Sequence, residues 1–173
     1  MVLPDPFTPN LKIDLLTEIS QNPPVLSDVA GPLSGIRNDL DSYLKSRKPS
    51  SFLSELLPSL CKEGSDDIDT ARVNSLVLYL GMHAISRLSK PQIHTPEMEV
   101  LQKLMDFDDR GRYISLNAIA NQLRYPSSHT HYYSCVMLFL FSEAKDEGVK
   151  EQVTRVLLER LIVHRPHPVS INL

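Results

Sequence analysis

Three helical segments follow one another closely in the second half of the chain, and their spacing limits the folds open to it. Apolar residues recur every three or four positions from Ile114 to Arg124, from about Ser128 to Glu143 and from about Val149 to His164. Pro126 ends the first segment because it keeps Tyr125 out of the α region. The short connectors favour antiparallel packing of neighbouring helices.

The same helical periodicity runs through the preceding residues from Ile36 onward, and no strand alternation competes with it. We expect Pro58 to end or kink a helix near Leu57. Thr95 followed by Pro96 predicts a helix start. The apolar stripes are Ile36, Leu40, Tyr43 and Leu44; Phe52, Leu53, Leu56, Leu57 and Leu60; Val73, Leu76, Val77, Leu80, Ala84, Ile85 and Leu88; and Met98, Leu101, Leu104 and Met105.

These patterns divide the chain into three parts. Residues 1–35 are expected to form an extended proline-rich segment with one short helix, capped by Asn10. Residues 36–168 form the helical domain, and residues 169–173 form a short tail. Helix pairs that follow each other in sequence predict an all-α fold, a HEAT-like α-solenoid of antiparallel helix pairs.

Composition limits the classes of partner. The formal net charge of −3 gives no bulk attraction to nucleic acid or to anionic lipid. The longest apolar run, from Cys135 to Phe141, is far shorter than the roughly 20 residues of a membrane span. Two cysteines cannot build a disulfide framework, which indicates a reducing compartment, cytoplasm or nucleus.

Sequence motifs of catalysis are missing. The chain has no P-loop, dinucleotide-binding glycine motif, zinc-protease helix or paired CxxC. We therefore expect neither an enzyme nor a bound cofactor or metal. His129 and His131 are interpreted as helix-start residues that form hydrogen bonds, because a metal site needs more ligands that converge. The acid pairs Asp66–Asp67 and Asp108–Asp109 are interpreted as solvated loop charges.

A cluster of polar and aromatic residues surrounds the corner between the first two of the three helices. As a partner-contact patch it would suit a protein, since arginine and tyrosine are frequent at binding hot spots. RNA bases could also stack on its rings, although the acidic net charge argues against RNA. Alternatively, the tyrosines hold the corner together and the arginine pairs with a nearby acid. The cluster consists of Arg124, Tyr125, His129, His131 and Tyr132.

Five stretches carry more specific sequence. They are MVLPDPFTPNLKIDLL at the start, DLDSYLKSRKPSSFLSEL at 39–56, NSLVLYLGMHAI at 74–85, LNAIANQLRYP with SHTHY at 116–132, and TRVLLERLIV with RPHP at 154–168. Together they resemble the C-terminal domain of the largest, scaffold subunit of the CCR–NOT deadenylase complex, the Not-one family. The resemblance implies a HEAT-like fold and a non-catalytic scaffold.

In that family the domain holds the heterodimer of the two Not-box subunits and recruits translational repressors, while separate nuclease subunits shorten poly(A) tails. The resemblance therefore implies a docking role in mRNA deadenylation, mRNA decay and translational repression. It implies protein partners, with no membrane and no direct nucleic-acid binding. It also implies a location in the cytoplasm, including P-bodies, and in the nucleus.

The chain departs from the family pattern at its end. After RPHP the family continues with a tryptophan and further apolar helices, whereas this chain has the residues from Val169 to Leu173. We therefore expect a fragment, a truncated product or an alternative splice form, in which one side of the helix 149–164 is bare. Two alternatives to the scaffold role remain open: an RNA-binding helical module, and a non-functional truncated product that folds poorly.

Overall fold

The computed structural model describes residues 31–62, 64–87, 94–123 and 128–163. The predicted short helix near Asn10 and the tail 169–173 lie outside these ranges. Seven α-helices are described, namely α1 (Arg37–Ser46), α2 (Phe52–Ser59), α3 (Thr70–Arg87), α4 (Pro96–Lys103), α5 (Asp109–Ala120), α6 (Ser128–Glu143) and α7 (Glu147–Val163). Single 3-10 turns occupy Gly31–Leu33, Leu104–Asp106 and Asn121–Leu123.

Side-chain caps fix where several helices begin. Thr95 Oγ1 accepts a hydrogen bond from the backbone N–H of Met98 at 3.2 Å, with Pro96 as the first helical residue. This confirms the helix start predicted at Thr95–Pro96. Asp69 acts in the same way before α3, because its Oδ1 accepts from the N–H of Ala71 at 2.9 Å. Such caps satisfy backbone donors that the first turn leaves free.

Helix α5 begins five residues earlier than the apolar pattern predicts. Asp108 caps it by accepting from the N–H of Gly111 at 2.8 Å, and Asp109, already helical, pairs with Arg112 at 3.0 Å. Both aspartates are exposed, as the interpretation as solvated charges predicts, and Asp108 lies in the loop, but Asp109 lies in the helix. Asp67 is also paired, with Arg110 at 3.0 Å. Apolar periodicity missed this first turn because its buried member, Gly111, has no side chain.

Pro58 lies inside α2, which continues to Ser59. The helix thus ends two residues after Leu57, near which an end or a kink is predicted. Proline disrupts a helix by withholding one N–H and crowding the preceding turn. Because Pro58 lies in the last turn of α2, these effects disturb few helical hydrogen bonds. The N–H of Leu60 still donates to the carbonyl oxygen of Leu56 at 3.2 Å.

The helices are stacked in chain order, as the solenoid prediction requires. Helix α1 contacts α2 and α4, and α4 contacts α3. Helix α3 also packs on α5 and α6, and both of these contact α7. The described residues thus form an all-α, HEAT-like stack of antiparallel helix pairs, with α3 in its middle and α7 at its end.

The core follows the predicted stripes except at the end of the stack. Helices α1 to α6 each bury large apolar side chains, with Leu40, Leu80 and Leu116 at 0% exposure. Among the α7 side chains whose burial is described, only those of Val149, Val153 and Val156 fall in the buried class. Helical spacing places Phe141 in the apolar stripe of α6, with Tyr133, Met137 and Leu140, and Leu161 in that of α7, with Val153 and Leu157. Both are nevertheless exposed, because the described chain places no further helix beside them.

Candidate interaction surface

Three members of the predicted corner cluster, His129, His131 and Tyr132, lie in the first turns of α6. Arg124 and Tyr125 lie outside the described residues, so their placement is not assigned. Of the other three, His131 is exposed, His129 is half-buried and Tyr132 is buried at 3% exposure. A contact role for the cluster stays a prediction, and His131 is the described member with the surface access that such a role needs.

Tyr132 instead belongs to the packing beneath the corner. Its ring meets that of Tyr133 edge to face, with centroids 5.1 Å apart and planes at 78°, a favoured geometry for aromatic pairs. The buried Thr130 donates from its hydroxyl to the carbonyl oxygen of Gln122 at 3.3 Å, which ties α6 to the 3-10 turn. For Tyr132 this placement matches the structural alternative, in which the ring holds the corner together.

The half-buried side chain of His129 lies beside the buried ring of Tyr133. Its ring centroid lies 6.5 Å from that of Tyr133. Burial lowers the pKa of His129 below its ordinary value, because the charged imidazolium loses hydration. This imidazole is therefore neutral at pH 7, and it offers a partner little electrostatic attraction.

A buried polar junction lies below the corner, between α3 and α4. Glu97 is 2% exposed, and its Oε1 lies 2.7 Å from His83 Nδ1 and 3.6 Å from Arg87 Nη1. Burial on its own would raise the pKa of the Glu97 carboxyl. Hydrogen bonds from His83, the backbone and Thr95, with the attraction of His83, outweigh burial and leave that pKa below its ordinary value.

The Tyr132 hydroxyl lies within the electrostatic influence of Glu97. Tyr132 Oη is buried and has no hydrogen-bond partner within the described ranges. Burial raises the pKa of this phenol strongly, and the negative charge of Glu97 raises it further. The phenol therefore stays neutral. The hydrogen bond between Glu97 and His83 joins α3 to α4.

Sequence reasoning missed this junction. An acid in the first turn of a helix, as Glu97 is, is accounted for by the helix dipole and indicates no further partner. His83 lies inside an apolar stripe, between Leu80 and Ala84, which gives no hint of a partner. A pairing of two residues 14 positions apart depends on how α3 and α4 pack, and no local pattern encodes it.

An apolar face covers the outer side of the last helix pair. Every large hydrophobic side chain that is exposed in the described chain lies on α6 or α7. These side chains are 42% to 79% exposed, and they are Leu138, Phe141, Leu158, Leu161 and Ile162. Phe141, Leu158 and Ile162 line one shallow groove along α7, whose charged walls include Lys150 and Arg155.

Metal binding and membrane crossing each require a recognisable arrangement of residues. The described ranges contain no group of three or more histidine, cysteine, aspartate or glutamate side chains placed to hold a metal ion. No described helix combines the length and the apolar content needed to cross a membrane.

The fold and the surface together define the class of protein. It is a stack of helix pairs in which the outer faces of the helices form the surface. Comparison with known proteins gives the family. The model of the family "CCR4-Not complex component, Not1" matches residues 1–171 of this chain. The chain therefore belongs to the Not1 family.

Curated relatives agree with this assignment. CCR4-NOT transcription complex subunit let-711 of Caenorhabditis elegans is 42% identical over 182 residues, which cover 97% of this chain and 7% of the relative. General negative regulator of transcription subunit 1 of Schizosaccharomyces pombe is 36% identical over 178 residues, covering 96% of this chain and 8% of the relative. The chain thus spans less than a tenth of the length of these relatives.

Solved structures show the same fold. The Not1 C-terminal domain in complex with Not4 matches with a TM-score of 0.72 at 24% identity, over 99% of this chain and 39% of that chain. The NOT1 superfamily homology domain from Chaetomium thermophilum matches with a TM-score of 0.70 at 26% identity, over 98% of this chain and 36% of that chain. The predicted fold class is confirmed.

Proposed function

We propose that this chain is a non-catalytic scaffold segment of the CCR4-Not complex. In this role it docks the Not-box subunits and translational repressor proteins, and it acts in mRNA deadenylation, mRNA decay and translational repression. The observation that carries the proposal is the Not1 family match over residues 1–171. The stacked helices support it, because such stacks provide extended surfaces for other polypeptides.

One solved relative was determined together with a protein partner. That relative is a Not1 C-terminal domain in complex with Not4. Its fold matches 99% of this chain with a TM-score of 0.72, which supports a protein partner for this chain as well. We propose accordingly that the partners are protein subunits, and that the chain requires no cofactor, contacts no membrane and binds no nucleic acid directly.

Co-purification with the Not-box subunits tests this role. The tagged chain, and a longer form that carries the helices following the matched region in a family relative, are each mixed with the recombinant Not-box pair. Retention of the pair by either form is the expected result. Circular dichroism of both forms shows whether they are folded, since poor folding of the short form alone would favour the truncated-product alternative. Failure of two folded forms to retain the pair would refute the docking role.

A comparison of two single substitutions tests whether the corner cluster contacts the Not-box pair. His131→Ala removes an exposed imidazole at the start of α6, whereas His94→Ala removes an exposed imidazole before α4, far along the chain from the corner. If the corner contacts the Not-box pair, His131→Ala weakens retention while His94→Ala leaves it unchanged. Equal retention by the two variants would remove His131 from the interface.

RNA binding is distinguished by its salt dependence. Contacts with phosphates release counterions, so that affinity for RNA falls steeply as salt rises. We expect no retention of single-stranded RNA even at low salt, because the chain has a net charge of −3. Binding that is present at low salt and lost at high salt would instead support the RNA-binding module.

We also propose a location in the cytoplasm, including P-bodies, and in the nucleus, where the processes named above take place. Imaging of the fluorescently tagged chain beside a tagged Not-box subunit tests this. Overlap of the two signals is the expected result, and exclusion of the chain from both compartments would contradict it.

A further inference from the structure

We draw no further inference here: the strongest candidate, the apolar face that Leu138, Phe141, Leu158, Leu161 and Ile162 form on the outer side of α6 and α7, carries nothing because nothing in the structure shows what covers it.

Discussion

The hydroxyl of Tyr133 in α6 donates a hydrogen bond to the backbone carbonyl oxygen of Val77 in α3. Both residues are 0% exposed. Burial raises the pKa of this phenol far above its ordinary value, so the donor proton is always present. The bond joins the middle of the stack to its outer pair at a point that water does not reach.

The two adjacent tyrosines give a matched pair of substitutions. Tyr133→Phe removes the bond to Val77, which should lower the free energy of unfolding by about 0.5–1.5 kcal/mol. Tyr132→Phe removes a buried hydroxyl that has no partner among the described residues, so stability should stay equal or rise. Urea unfolding followed by circular dichroism measures both. Equal losses in the two variants would contradict the hydrogen-bond assignment.

Gly81 allows α3 and α6 to approach each other. A Cβ atom at this position would lie 2.7 Å from Cε2 and Cζ of Tyr133, closer than side chains tolerate. Overpacking should cost about 1–3 kcal/mol, against the roughly 1 kcal/mol that alanine gains over glycine in a helix. Gly81→Ala should therefore destabilise the protein by up to about 2 kcal/mol.

Gly148 in α7 is the control for this substitution. There a Cβ would meet only the exposed Asp146 carboxylate, at 3.3 Å or more. Gly148→Ala should leave stability unchanged or raise it by up to about 1 kcal/mol. Both free energies of unfolding are measured in urea. Changes of the same sign in the two variants would show that the close approach of α3 and α6 does not determine the effect of Gly81→Ala on stability.

The buried junction predicts a specific acid sensitivity. Because the folded-state pKa of Glu97 lies below its ordinary value of 4.5, its ionised form stabilises the fold above that pH. This stability is lost as pH falls through the folded-state pKa. Glu97→Gln should cost about 1–3 kcal/mol at pH 7, and the difference from the parent chain should shrink below pH 4.5.

Unfolding measured from pH 7 to pH 3.5 tests this behaviour, with Glu143→Gln as the control. Glu143 is exposed and forms no ion pair in the described part of the chain. Its substitution should therefore leave the pH profile unchanged. A constant difference between Glu97→Gln and the parent chain at every pH would exclude the charge of Glu97 as the cause.

Substitutions on the two sides of α7 should differ sharply. Val156 is 0% exposed, and Val156→Ala should cost about 1.5–3 kcal/mol through lost burial. Leu158 and Ile162 are 53% and 79% exposed. Leu158→Gln and Ile162→Gln should each change stability by no more than about 0.5 kcal/mol. Thermal unfolding of the three variants measures these changes. A large loss of stability in Ile162→Gln would show that the side of α7 that carries Ile162 is covered.

Hydrogen exchange should rank the last three helices. The described side chains of α7 include three buried ones, Val149, Val153 and Val156, whereas α6 buries six over 16 residues. Local opening costs less where fewer apolar contacts are lost. We therefore expect the amides of α7 to be the least protected among those of α5, α6 and α7. Equal protection throughout would contradict the bare side predicted for this helix.

The sequence alone determined the elements that depend on local chemistry. The limits of α6 agree with the apolar pattern, and α4 begins at the predicted Thr95 cap. Periodicity and caps act within a few residues of each other, so they can be read directly from the chain. The family resemblance was equally a property of the sequence, and the Not1 match confirms it.

Tertiary packing decided what lies between the helices. The partner of Glu97 is His83 on another helix, and the space that Tyr133 needs is provided by Gly81, 52 positions earlier. It also decided that Phe141 and Leu161 are exposed, although their apolar spacing predicted burial. A helix pattern shows which face is apolar, but whether that face is covered depends on a neighbour that only the folded arrangement supplies.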